Sequence, residues 1–106
     1  MPKYLVQGSY TAQGASGLRK DGASKRRQVA EALMKEAGGK IEAFYYAFGE
    51  SDFLVIADLP DNVSCAALSL AVNSSGVTKV TTTPLLTVEE MDAATKKQIG
   101  YRGPGQ

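Results

Sequence analysis

Residues 44–60, FYYAFGESDFLVIADLP, set two apolar runs on either side of a short polar knot containing Gly49, Glu50, Ser51 and Asp52. Runs rich in Phe, Tyr, Val, Ile and Leu suit pleated, half-buried strands, and a Gly-containing polar knot between two of them suits a tight hairpin. The spacing predicts strands over 40–48 and 52–59. With Glu50 and Ser51 as the two loop residues, Phe48 faces Phe53, Tyr46 faces Val55 and Tyr45 faces Ile56.

Working outward from the hairpin, the upstream segment holds Val29, Ala30, Leu33, Met34 and Ala37 at helical spacing, stopped by Gly38 and Gly39. Ser24 is its expected N-cap, and Glu31 with Lys35 supports its exposed side. Before it, residues 15–22 carry only a weak signal for a short helical turn. KYLVQGSY, residues 3–10, alternates like a strand and ends at the Thr11, Gln13, Gly14 cluster. Downstream, Pro60 punctuates and Asp61 or Asn62 caps a second helix. Val63, Ala66, Ala67, Leu70 and Ala71 mark its apolar stripe, and it stops before Gly76. VTKVTTTPLLT, residues 77–87, is β-branched and reads as a final strand, with Pro84 suited to a sheet edge or strand end. Thr87 and Glu90 have capping-box spacing, opening a short helix to about Gln98. The order strand, helix, strand, strand, helix, strand predicts an α+β, ferredoxin-like βαββαβ fold. Its sheet is antiparallel, its helices lie on one face and a short helix is added. Residues 1–98 form the expected domain and 99–106 a flexible tail.

Strand side chains alternate between faces, so each strand sorts into two sets. Tyr4, Val6, Gly8, Phe44, Tyr46, Phe48, Phe53, Val55, Ala57 and Leu59 make an almost wholly apolar set that should take the helices. The opposite set holds Leu5, Gln7, Ser9, Ile41, Ala43, Tyr45, Ala47, Leu54, Ile56 and Asp58. Leaving Leu5, Ile41, Leu54 and Ile56 wet forfeits roughly 1.5 to 3 kcal/mol for each large group that a partner would bury. A patch of that kind predicts a two-fold homodimer built sheet on sheet through those four residues.

The segments MPKYLVQGSYTAQG, the Lys25-Arg26-Arg27 helix entrance, AGGKIEAFYYAFGESDFLVIADLPD and LLTVEEM together resemble the GYD domain family over about residues 1–95. Its name motif at the hairpin appears here as Gly49, Glu50, Ser51, Asp52, with Ser51 where the family has Tyr. The resemblance implies the dimeric α+β barrel fold and dimerisation, and no particular reaction.

Composition excludes more than it assigns. The chain's 106 residues and formal net charge of +1 describe one ordinary globular domain. There is no His or Trp and a single Cys, Cys65. Imidazole general bases, haem ligation by His and Cys/His zinc sites are thus absent, leaving only an all-oxygen metal site open. No cofactor is expected. No apolar run approaches the roughly 18 residues a membrane span needs, and no signal segment is recognisable. Together with the lone thiol this makes the cytoplasm the expected setting.

Glu50 and Asp52 read as an acid–base or hard-metal pair, or as hairpin formers whose oxygens accept backbone N–H bonds, with the second favoured. Asp58 shares its face with Tyr45, Gln7 and Ser9, a candidate ligand-binding set. Burial would raise the Asp58 pKa, and a desolvated carboxyl beside the Tyr45 phenol suits proton transfer on a small aromatic or carbonyl compound. That is the cofactor-independent, oxygenase-like or isomerase-like alternative to a ligand-binding, regulatory or assembly module. The other reading of Asp58 is as the wet end of its strand or the cap of the next helix. Arg19, Lys20, Lys25, Arg26 and Arg27 form the densest basic stretch, read as a solvated helix entrance. RNA-recognition modules share the fold, yet no stretch matches their signature strand, so nucleic acid is not an expected partner. Cys65 reads as a buried inert thiol, and Gly8, Gly14 and Gly17 match no phosphate loop.

Overall fold

The computed structural model describes residues 1–106. Its elements run β1 (Lys3–Tyr10), α1 (Ala12–Asp21), α2 (Ala23–Glu36), β2 (Lys40–Tyr46), β3 (Phe53–Asp58), α3 (Asn62–Ser74), β4 (Thr78–Leu85) and α4 (Val88–Thr95). The strands form one four-stranded antiparallel sheet in the order β2-β3-β1-β4, with β1 and β3 central. This is the ferredoxin-like arrangement, and Pro84 sits on the edge strand β4, where its missing N–H breaks no ladder. No helix is long and apolar enough to cross a membrane.

The core lies between the sheet and the helices α2 and α3. Tyr4, Val6, Phe53, Val55, Ala57 and Val80 point into it from the strands, and Met34, Cys65 and Leu68 close it from the helices. Each large group removed from water there contributes roughly 1.5–3 kcal/mol. The expected apolar face is therefore the covered one, apart from Tyr46 at the end of the edge strand β2, which is exposed, and Phe48, which lies beyond the ladder and is fully exposed.

Five expectations are corrected. Residues 15–21 belong to a full helix, α1, which ends at the C-cap Gly22 and whose N-cap Thr11 accepts from the Gly14 N–H. Its weak signal has a steric source, because a Cβ on Gly14 would collide with the Val77 carbonyl. With α1 running so close, α2 begins directly at Gly22 without a side-chain cap, and Ser24 lies inside it.

The hairpin pairs Tyr46 with Phe53, Tyr45 with Leu54 and Phe44 with Val55, two residues out from the expected register. The ladder closes at Ala47 N–H to Asp52 C=O, leaving Phe48–Ser51 as the connection. Asp52 forces this widening. Its carboxylate accepts from Tyr10 N–H at 2.8 Å and its own N–H donates to Gly8 C=O, so the residue is stitched to β1. A shift of two leaves every side chain on its face.

A β-bulge at Glu42 does change a face. Ala43 pairs with Ile56 but Ile41 pairs with Ala57, so Ile41 packs against the core from the helix side and drops out of the expected dimer surface. Finally, α3 buries Cys65 and Leu68, with Val72 packed beside them, whereas Val63 and Leu70 of the expected stripe are exposed.

Candidate functional site

All packing of α2 and α3 is on one side of the sheet, so the other side is the open face. Register sorts it into three cross-strand rows. Tyr45, Leu54, Gln7 and Thr81 form the first, and Ala43, Ile56, Leu5 and Thr83 the second. Lys40, Asp58, Lys3 and Leu85 form the third. Leu5, Leu54 and Ile56 are half-buried at the centre, and Tyr45 stands out with 70% of its surface exposed. An apolar strip thus runs between a polar end, Tyr45 with Gln7, and a charged end.

The charged end is closely knit. Lys3 Nζ donates to Asp58 Oδ1 at 2.8 Å and lies 3.1 Å from Glu42 Oε2. The bulge is what brings Glu42 there, since an extra residue in β2 presents its carboxylate to the same ammonium. Asp58 is almost wholly buried, and the sequence-based expectation was a raised pKa. The direction is the opposite. The Lys3 hydrogen bond holds the carboxyl below the usual carboxylate value, outweighing burial, with the charges of Lys3, Lys40 and the chain's first amino group adding to it. Lys3 is pushed up in return, first by Asp58 and then by Glu42. Asp58 is therefore a fixed anion, a poor proton carrier at neutral pH.

The candidate residues do not form a single cluster. Tyr45 and Asp58 stand in rows four β3 positions apart, about 13 Å at the strand rise, so they do not meet within one chain. Gln7 and Tyr45 flank Leu54 from opposite sides and share a row. Ser9 is spent elsewhere, its hydroxyl donating to the Glu50 carbonyl at 3.3 Å. Glu50 is exposed at the hairpin tip while Asp52 is tied to β1, which is the hairpin-forming role. Nowhere do three or more Cys, Asp or Glu side chains gather in a way that could hold a metal ion.

Two of the molecule's hollows bear on the sheet, one on its core side and one on its open face, and neither was expected from the sequence. A crevice of about 90 Å³ lies in the core between the sheet and the two helices, walled by Val6, Leu33, Met34, Phe53 and Leu68, with Arg26 and Thr78 as its polar edge. That is well short of the roughly 300 Å³ at which ligand pockets begin, so it is slack in the core. Arg26, Ala30 and Leu33 fall at helical spacing, and that was the available signal that the Arg26 stem runs along the core while its head reaches toward Asp21, 4.0 Å away. The remaining basic residues are dispersed, Arg27 pairing with Glu31 along α2.

The second hollow, about 210 Å³, opens on the charged end of the open face and is lined by Lys3, Glu42, Ile56, Leu86, Thr87 and Glu90 among others. Nothing in the order of apolar residues points to it, because it forms where the chain leaves β4.

The family model described as GYD domain matches residues 4–95, most of the chain. No curated protein and no solved structure matches it.

Proposed function

We propose, from the premise that the chain belongs to the GYD domain family, that it works as a homodimeric binding module. Two open sheet faces pack together around a small cavity that takes a mostly apolar aromatic or carbonyl compound. Leu5, Leu54 and Ile56 supply the apolar walls, and the Tyr45 phenol and Gln7 carboxamide the hydrogen bonds. Asp58 acts as a structural anion, so binding is favoured over catalysis. The buried, unpaired thiol of Cys65 fits a reducing, cytoplasmic setting for this dimer.

The observation that carries the reading is the uncovered central strip on β1 and β3, in a chain whose core-forming helices both lie on the other side.

A native mass spectrum of freshly purified protein tests both parts of the proposal. Wild type should appear at twice the chain mass, Leu54→Lys at the single mass, and any retained small molecule as added mass on the dimer alone. A wild-type chain that stays at single mass at micromolar concentration would defeat the proposal.

A further inference from the structure

The segment after β4 is built like a helix and packed like nothing. Every residue from Leu86 to Arg102 is exposed. Within it α4 is well specified, because the Thr87 side chain accepts from Glu90 N–H at 3.0 Å and the Glu90 carboxylate accepts from Thr87 N–H at 2.9 Å. Yet α4 makes no substantial packing contact with any other element. A helix of 8 residues has too few hydrogen bonds to offset nucleation, and isolated helices shorter than about 12–15 residues are marginal in water. Capping alone does not close that gap. The helix needs a surface to lie on.

Its side chains state what kind of surface. Val88 and Met91, three apart on one helical face, are 74% and 50% exposed, and Leu86, Ile99 and Tyr101 extend the apolar character on both sides. The segment also distorts the molecule, whose longest axis is 56 Å against 32 and 22 Å for the others. The radius of gyration is 16.9 Å, where a compact chain of this length has about 13 Å.

The point of departure identifies the surface. Leu85 stands opposite Lys3 in the charged row, and Leu86, Thr87 and Glu90 wall the hollow with Lys3, Glu42 and Ile56. The chain therefore leaves on the open side of the sheet, the side a second copy covers in the proposed dimer. The helices of its own body lie on the other side. We infer that residues 86–102 form a strap that packs Val88, Met91, Ile99 and Tyr101 on the second copy, reciprocally about the two-fold axis. This inference rests on the dimer proposed above.

Hydrogen–deuterium exchange on the full chain tests it, with oligomeric state measured on the same samples. In the wild-type dimer the α4 amides should exchange about tenfold or more slower than an unstructured chain. That protection should vanish on dilution to monomer and in a monomeric Leu54→Lys variant. Val88→Ser with Met91→Ser should lose it too, while β1 and β3 stay protected. A dimer with unprotected α4 overturns the strap and leaves the dimer standing. Protection that persists in the monomer shows packing on its own chain and also overturns it. A wild type that is monomeric throughout overturns both.

Discussion

Gly8 lies opposite Phe53 in the β1–β3 ladder, and a Cβ there would overlap the Phe53 ring. The ring uses that room to stack on Phe44, centroids 6.0 Å apart, and to meet Tyr10 at 5.5 Å. Gly8→Ala should push Phe53 out of both contacts and cost about 1–3 kcal/mol in urea unfolding. A loss under about 0.5 kcal/mol would mean that the ring swings aside freely. Lys3 and Asp58 make a pH-dependent pair. Asp58 is depressed below 3.8 in the folded chain, so its contribution is present above that value and fades as pH falls through the folded pKa. Lys3 is raised above 10.5, so its contribution is present below that value and fades as pH rises through the folded pKa. Lys3→Met should remove the alkaline effect and move the Asp58 carboxyl titration upward, which carbon-detected NMR follows directly. An unmoved Asp58 titration would show that Lys3 is not its controlling partner.

At the scale of the element, α3 separates what periodicity says from what packing selects. Leu68 is buried at 4% exposure and Leu70 is exposed at 71%. Leu68→Ala should cost about 2–5 kcal/mol and Leu70→Ala less than about 0.5 kcal/mol, read from paired denaturation curves. The reverse order would restore the stripe inferred from sequence. That stripe misled because small and apolar residues occupy nearly the whole circumference of α3, so a 3.6-residue period selects no single side. Strands were easier to read, since a period of two needs only alternation, and Leu5, Leu54, Ile56, Gln7 and Tyr45 were assigned to the open face on that basis. Ile41 was assigned there too, and wrongly, because a bulge is an insertion relative to the neighbouring strand and leaves no trace in one strand's own pattern. Asp58 was placed on the correct face but given the wrong neighbours. Its partner Lys3 becomes adjacent only through β1–β3 register, and its third member, Glu42, only through the bulge. The capping box at Thr87 and Glu90 was legible because both halves lie within one turn.

For the whole molecule, the apolar strip and the unpacked α4 are both accounted for by the second copy proposed on the open side, and that proposal has a thermodynamic signature independent of any ligand. If the folded species is a dimer and the unfolded species a single chain, mass action links stability to protein concentration. Each tenfold increase should add about 1.4 kcal/mol per dimer to the unfolding free energy and raise the urea midpoint accordingly. In Leu54→Lys, which places an ammonium in the centre of the strip, the midpoint should fall and lose its dependence on concentration. Gly8→Ala, altered on the helix side, should lower the midpoint and keep the dependence. The two variants thus separate the inner packing of the sheet from its outer packing, which a single melting curve would merge. A wild-type midpoint that holds constant across a hundredfold range, about 2.7 kcal/mol of expected change, would mean that the chain folds alone with Leu5, Leu54 and Ile56 facing water.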